Sequence, residues 1–239
     1  MDLYAFPPIA ALLDGAHAVL MGLADLLEPL AGASSAAAAV VLVTLLVRAA
    51  LIPVGVSQAK AERTRARLAP QLAALQQKHR TDPERLQREM MSLYRSEGST
   101  PLAGCLPMLI QAPIVGIIYA LFILPTIAGH PNELLTHTFV DVPLGTSLSG
   151  SIDTGAVTPD VLLVFGAVIV MIAAVGEVTR RVFRVQSLRL LGLLQFITAA
   201  VAVFVPLAAG LYLLVTVAWT LCQRILLRRA YPLPAPGAA

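Results

Sequence analysis

A long uncharged stretch interrupted by a single arginine most constrains what this chain can fold into. Twelve uncharged residues begin at Ala36 and lead up to Arg48, and eight more follow it as far as Val56. About 20 helical residues at ~1.5 Å each span the ~30 Å hydrocarbon core of a bilayer. Residues 35–57 therefore predict a membrane-spanning helix with Arg48 near its middle. A charge there costs at least ~2.5–3.5 kcal/mol, which indicates a functional position.

The distribution of charge along the chain predicts a polytopic membrane protein. Only 13% of the 239 residues are charged and 57% are hydrophobic, whereas a soluble domain is roughly 25% charged. Of the 17 lysines and arginines, nine lie in 58–99, four in 177–189 and three in 224–229. The positive-inside rule places these three segments in the cytoplasm. Because topology explains the basic surface, we expect no sequence-specific nucleic-acid binding.

Hydrophobicity and helix signals together predict an all-α membrane protein with five transmembrane helices, an external amino terminus and a cytoplasmic carboxyl terminus. The predicted segments are an external amphipathic helix at 1–34, a first span at 35–57, a cytoplasmic helical hairpin at 58–99, a second span at 101–123, an external loop at 124–157, a third span at 158–176, a cytoplasmic loop at 177–189, a fourth span at 190–205, a fifth span at 206–224 and a cytoplasmic tail at 225–239. The last two spans, separated by a turn at Pro206, would hold only about 17 residues each and suit a thinned bilayer.

The helical segments outside the five spans carry their own sequence signals. In 1–34, apolar residues recur with a helical period opposite Asp14, Asp25 and Glu28, which predicts a helix lying on the membrane surface. Pro53 predicts a kink near the cytoplasmic end of the first span, and Pro70 predicts a bend in the hairpin.

The hairpin has a clear second start and a basic outer face. Thr81 or Asp82 predicts a helix cap, Pro83 suits the first turn, and Glu84 completes a capping box with Thr81. Leucine-rich stripes on both helices predict antiparallel packing against each other. The basic residues that we expect to contact partners are Lys60, Arg63, Arg65, Arg67, Lys78, Arg85 and Arg88.

The surroundings of Arg48 predict a polar cavity inside the membrane. The second, fourth and fifth spans contain no acidic residue, so no counter-ion is evident there. Polar side chains on several spans could instead line a water-containing groove with Arg48: Thr44, Gln111, Gln195, Thr216, Trp219 and Thr220. Two simpler readings stay open: these polar residues bond between helices, and Trp219 is an interfacial anchor.

The sequence contains no recognisable catalytic or metal-binding constellation. No H-E-x-x-H, G-x-S-x-G, Walker or G-x-G-x-x-G motif is present. The two cysteines, Cys105 and Cys222, are far apart and lack clustered histidines. His130, His137 and Glu133 share the external loop, but their spacing does not require a metal. We therefore expect a protein that is not an enzyme and that holds no metal or cofactor.

Several of these stretches together resemble the YidC/Oxa/Alb family of membrane protein insertases, in the short form typical of Gram-positive bacteria. The resemblance rests on VLVTLLVRAALIPVGVSQAKA, on LAPQLAALQQKH followed by DPERLQREMMSLYRSEGSTPLAGCLPMLIQAPI, and on VFVPLAAGLYLLVTVAWTLCQR. It implies a hydrophilic groove in the bacterial plasma membrane, with Arg48 as the groove arginine and Gln111 as a matching groove residue. Two positions depart from the family pattern: Val217 stands where relatives often carry asparagine, and Val115 stands where an aromatic residue is usual.

The resemblance also implies partners and leaves alternatives open. The expected partners are nascent membrane proteins, membrane lipids and, through the hairpin, the Sec translocon, the signal recognition particle receptor and the ribosome. One alternative is a chaperone that helps membrane proteins fold and assemble without inserting them. A less favoured alternative is an anion channel or transporter that uses Arg48 as its anion site, although transporters usually show internal repeats that five unequal spans do not match.

Overall fold

Helices make up most of the chain, as the period of its apolar residues predicts. This computed structural model describes residues 6–98, 116–127, 129–183 and 196–232. Its helices are α1 (Pro7–Ala31), α2 (Ser35–Ala50), α3 (Ile52–Lys78), α4 (Pro83–Ser96), α5 (116–123), α6 (Leu148–Asp153), α7 (Pro159–Val182), α8 (Ile197–Val201) and α9 (Leu207–Ala230). Short 3-10 turns at Gly32–Ser34 and Glu133–Leu135 complete the helical structure of these residues.

Three of these helical stretches are long and apolar enough to cross a membrane. They are the run Pro7–Ala50, which contains α1 and α2, then α7, and then α9. Residues 101–115 and 190–195, which hold most of the second predicted span and part of the fourth, lie outside the described residues. The count of five spans therefore stays a prediction.

The first predicted span ends earlier than the apolar sequence suggests. α2 stops at Ala50, and α3 begins at Ile52 after Leu51, whose φ of −86° and ψ of 4° depart from helical values. Pro53 explains the break, because proline lacks an N–H and its ring crowds the carbonyl of residue 49, but it fits the first turn of a new helix. The predicted kink is thus a break of one residue, and residues 52–57 belong to α3.

The third and fifth predicted spans are parts of longer helices. α7 begins after Thr158, whose hydroxyl caps the helix, and Pro159 occupies its first turn. It continues six residues past the predicted end to Val182. α9 begins directly after the predicted turn at Pro206 but runs for 24 residues to Ala230. At ~1.5 Å per residue α9 is about 36 Å long, so the helix continues beyond the predicted end of the fifth span, and the length of the span itself stays a prediction.

α3 and α4 pack against each other as the predicted helical hairpin. α3 continues through Pro70, so the proline does not interrupt it. Asp82 caps α4, because its Oδ1 accepts the backbone N–H of Arg85 at 2.9 Å, and Pro83 occupies the first turn. Of the two predicted caps the structure therefore uses Asp82, and the capping box with Thr81 does not form. The cytoplasmic location of the hairpin stays a prediction.

The predicted leucine-rich stripes form the inner side of this hairpin. Leu68 of α3 and Tyr94 of α4 are its buried apolar side chains. The other stripe residues are half-buried: Leu72, Leu75, Leu86, Met90 and Leu93. Leu68 is therefore core, as predicted, the rest of the stripe is partly covered, and the basic residues lie outside it.

The predicted external loop contains two small β-hairpins, which is the one departure from an all-α fold among the described residues. β1 (Thr126–Ile127) pairs antiparallel with β2 (His130–Pro131), with Ile127 opposite His130. β3 (Thr138–Phe139) pairs antiparallel with β4 (Val142–Pro143), with Phe139 opposite Val142. The sequence predicts no regular structure here, because strands of two residues are too short to show an alternating pattern.

The chain divides into two compact units. The first unit contains residues 1–49 and 114–221, and its core is formed by the inner faces of α1, α2, α5, α7 and α9 together with the β-hairpins. In α1 the buried positions are Leu13, Leu20 and Ala24. The acidic residues of this helix, Asp14, Asp25 and Glu28, are exposed. The second unit contains residues 50–113 and 222–239, and in it the end of α9 accompanies the α3–α4 hairpin.

Candidate functional site

Arg48 lies in the last turn of α2, in the first compact unit. It is half-buried and takes part in an interaction within the chain. Thr44, one turn earlier, is only 2% exposed, and its hydroxyl donates to the carbonyl of Val40 at 2.6 Å. The Thr44 hydroxyl therefore donates its hydrogen bond within its own helix, and it can only accept a hydrogen bond from another group.

α9 contributes the other described residues of the predicted groove. Thr216 is half-buried, and its hydroxyl oxygen is enclosed without a hydrogen-bond partner among the described residues. Thr220, one turn later, donates its hydroxyl to the carbonyl of Thr216 at 2.7 Å. Trp219 is half-buried and has an interaction within the chain. An enclosed hydroxyl needs a partner, and a water molecule is the usual one.

The structure places Arg48, Thr44, Thr216 and Trp219 in the same compact unit. Gln111 and Gln195 lie outside the described residues, so their contribution to a groove stays a prediction. Val217, where the family pattern often has asparagine, packs half-buried against the hydrophobic core of the unit.

An open groove of about 430 Å³ is present in this unit, and its walls are apolar. It lies between the end of α1, the first half of α2, Phe139 of β3 and Leu211 of α9. Leu45 reaches it, but Arg48 and Thr44 do not line it. This groove suits hydrocarbon, and it is distinct from the polar cavity predicted around Arg48.

Acidic residues neutralise part of the basic hairpin. Arg67 of α3 pairs with Glu97, just after the end of α4. Glu89 of α4 lies 3.7 Å from Arg85 and 4.0 Å from Lys78. Such exposed ion pairs each contribute only ~0–1 kcal/mol, so they orient the two helices more than they stabilise them. The remaining predicted contact residues are Arg63, Arg65 and Arg88, which are exposed, and Lys60, described below.

His79 lies buried in the turn between α3 and α4, and its role there was not predicted from the sequence. It is 7% exposed and lies directly after α3, with its Nε2 3.0 Å from Glu89 Oε2. The carboxylate of Glu89 therefore lies near residues of α3, of α4 and of the turn between them. The i,i+4 spacing of Arg85 and Glu89 could have been read from the sequence, but the contact with His79 depends on the hairpin closing.

A second ionic cluster joins α3 to the end of α9 in the second unit. Glu62 Oε1 lies 3.1 Å from an Nη atom of Arg228 and 3.6 Å from one of Arg224. Lys60 lies over the ring of Tyr231, with its Nζ 5.8 Å from the ring centre. This cluster is not predictable from the sequence, because Glu62 and Arg228 are 166 positions apart and no local pattern links them.

A third ionic cluster lies at the carboxyl end of α7. Glu177 accepts hydrogen bonds from Arg180 and Arg181 at 2.6–2.7 Å within the last turns of the helix. Among the described residues, no group of three or more histidine, cysteine, aspartate or glutamate side chains is arranged to hold a metal ion.

The arrangement so far defines a class of protein. A mostly helical chain whose described residues include three stretches able to cross a bilayer, with a charged helical hairpin between the first two in sequence order, is an integral membrane protein. A family model described as the 60Kd inner membrane protein matches residues 27–233. The chain therefore belongs to that family, which is the YidC/Oxa/Alb family that the sequence resembles.

Individual relatives agree with this assignment. A membrane protein insertase YidC of Streptomyces avermitilis is 29% identical over 225 residues, covering 83% of this chain and 52% of the relative. A YidC 2 insertase of Bacillus anthracis is 35% identical over 111 residues, covering 45% of this chain and 41% of the relative. A YidC of Clostridium perfringens is 42% identical over 81 residues, 34% of each chain. The matches thus span about a third to a half of these relatives.

Proposed function

We propose that this chain is a membrane protein insertase, a protein that moves polar flanks of nascent membrane proteins across the bilayer and releases their apolar segments into lipid. Membership of the family and the printed names of the relatives support the activity. The observation that carries the mechanism is the half-buried Arg48, which lies in a helical stretch long and apolar enough to span a membrane.

In the proposed mechanism, Arg48 and water in a groove replace the hydration of the polar flank. The enclosed hydroxyl of Thr216 supports a wet interior, because it lacks a protein partner among the described residues. Gln111 and Gln195 complete the lining, and Trp219 borders it. The apolar segment then leaves sideways into lipid, driven by ~0.8 kcal/mol for each buried CH₂ group.

The proposal includes a topology and partners. The protein lies in the bacterial plasma membrane with five spans, its amino terminus outside and its carboxyl terminus and hairpin in the cytoplasm. Exposed arginines of the hairpin, such as Arg63 and Arg88, contact targeting partners: the Sec translocon, the signal recognition particle receptor or the ribosome.

Replacement of Arg48 tests the proposal. Purified protein is reconstituted into vesicles, and insertion of a single-span client with a short acidic tail is measured by protease protection. We expect Arg48→Ala to lower the rate about tenfold, as for the loss of ~1.4 kcal/mol of stabilisation. Arg48→Lys should retain most of the rate, because charge is what the tail requires. Arg181→Ala, at the end of α7, is the matched control and should insert normally.

The same assay separates the alternatives. Unchanged insertion by Arg48→Ala would overturn the groove mechanism. Wild-type protein that raises the folded yield of an already inserted client, but inserts none itself, would be a chaperone. Anion flux across the vesicle membrane without insertion would identify a channel or transporter.

A further inference from the structure

The cluster of Glu62, Arg224 and Arg228 has the composition of an occupied anion site. One carboxylate lies within 3.6 Å of the guanidinium groups of two arginines. These three ionised groups together carry one net positive charge, and Arg229 and Lys60 add further cations on the same two segments. Guanidinium groups are suited to carboxylates, because their planar N–H donors match the two carboxylate oxygens.

The cluster is also accessible and exchangeable. The side chains of Arg224, Arg228 and Glu62 are 41%, 34% and 43% exposed, so a carboxylate from solution can reach them. Ion pairs at such exposure contribute little to stability, since water competes with both partners. Replacing Glu62 by another carboxylate therefore exchanges one weak pair for an equivalent one.

The position of the cluster along the chain relates it to the groove residues. Arg224 follows Thr216 by eight residues in the sequence of α9. Glu62 lies on α3, the helix that follows the Arg48-bearing helix α2 after the break at Leu51. Under the proposed topology both segments are on the cytoplasmic side, where a client arrives.

We propose that Arg224 and Arg228 form a receiving site for an acidic flank of a client protein, and that Glu62 occupies this site when no client is bound. An aspartate or glutamate of the client displaces Glu62, so the polar flank is held by arginines before it meets Arg48. This inference rests on the proposed insertase function and adds to it a first binding site for carboxylates. Glu62 then acts as an internal competitor.

Crosslinking from Cys222 tests the site. Cys222 is exposed on α9, two residues before Arg224 in the sequence, and Cys105→Ser leaves it as the only cysteine of the chain. The full chain is reconstituted into neutral phosphatidylcholine vesicles, so that no anionic headgroup competes. Two single-span clients are offered, each with one tail cysteine and either three aspartates or three asparagines, and a flexible bismaleimide joins the cysteines.

We expect the aspartate client to crosslink more than the asparagine client. Glu62→Gln should raise the yield of the aspartate client about threefold, the ratio expected when an exposed ion pair stops competing, and leave the asparagine client unchanged. Arg224→Gln combined with Arg228→Gln should remove the difference between the clients. High salt should weaken it as well, because exposed charges are screened.

Glu177→Gln is the matched control, since Glu177 also bridges two arginines but within one helix, and it should not change either yield. Glu62→Asp should behave as wild type, which excludes a folding defect. Equal yields for both clients, or a lower aspartate yield with Glu62→Gln, would overturn the site and leave a structural ion pair. Insertion measured in the same vesicles keeps the two proposals apart: insertion without charge-dependent crosslinking rejects only the site, and crosslinking without insertion rejects only the insertase.

Discussion

At the scale of single residues, Val140 occupies an unfavourable backbone conformation. It has a φ of 49° and is followed by Asp141 at 59°, and the two residues form the turn between β3 and β4. Positive φ at both central residues is the pattern of a type I′ turn, which favours asparagine and glycine. A β-branched residue there is strained, because its side chain crowds the backbone.

Val140→Asn should therefore stabilise the protein by about 1 kcal/mol, the lower end of the cost of such a conformation. Val140 is 49% exposed, so little apolar burial is lost. The measurement is the thermal unfolding midpoint in detergent. Val157→Asn, at an exposed loop position without positive φ, is the control and should give no gain. A midpoint for Val140→Asn at or below that of the wild type would contradict the assignment.

Asn132 is a second residue with a large expected effect. It is 4% exposed, and its Nδ2 donates to the carbonyls of Leu121 at 2.7 Å and Leu124 at 2.9 Å, which ties the 124–157 loop to the end of α5. We expect Asn132→Ala to lower the free energy of unfolding by ~2–4 kcal/mol, because both carbonyls lose their donor. Thr136→Ala removes an exposed hydroxyl that bonds only locally, and a comparable loss there would refute this role of Asn132.

At the scale of elements, the 124–157 loop is built onto the ends of helices rather than around a sheet. The backbone N–H groups of Leu207 and Ala208, in the first turn of α9, donate to the carbonyls of Thr146 and Leu144 at 2.8 and 3.0 Å. The N–H of Ser149 donates to the carbonyl of Val203 at 3.0 Å. Helix ends leave such groups unpaired, so the loop completes the hydrogen bonding of the helix that it covers.

α3 and α9 lie close together at Gly55, which has no side chain. A Cβ placed there would overlap Nε2 of Gln223. Gly55→Ala should therefore displace the amide end of Gln223, and this cost should offset part of the gain from alanine as the better helix former, so the unfolding midpoint should rise less than for a glycine with open space. Gly166→Ala in α7, where a Cβ has open space, should raise the midpoint by the equivalent of ~0.5–1 kcal/mol.

A double-mutant cycle decides whether the overlap is the cause. Gln223→Ala removes the overlapping side chain, so Gly55→Ala should be more favourable in that background. An effect of the same size in both backgrounds would show that the overlap is not the cause.

At the scale of the whole molecule, the distribution of charge predicts which ends face the cytoplasm. Cys222 near the end of α9 should react with a membrane-impermeant maleimide only from the cytoplasmic side, because arginines cluster there. Val140→Cys, in the exposed β3–β4 turn and in a background with both native cysteines replaced by serine, should react only from the opposite side. Labelling of both positions from one side would refute the proposed topology.

Much of this fold is readable from the sequence, because helices are specified by residues close together in the chain. The cap at Asp82, the turn at Pro206 and the buried position at Leu68 are all local signals, and the structure contains each of them. The family assignment follows from the same segments. Arg48 lies in a helical stretch that is long and apolar enough to span a membrane.

Only the tertiary structure decided which distant residues meet. Asn132 bonds to α5 once the 124–157 loop has folded, and Glu62 reaches Arg228 across 166 positions. Neither contact can be predicted from the periodicity of the sequence. Periodicity indicates which face of a helix is buried, but not which residues it packs against. The apolar stretch, its single arginine and the sorting of charge were thus determined by the sequence itself. The capping of helix ends by the loop and the carboxylate between two arginines were decided by long-range packing.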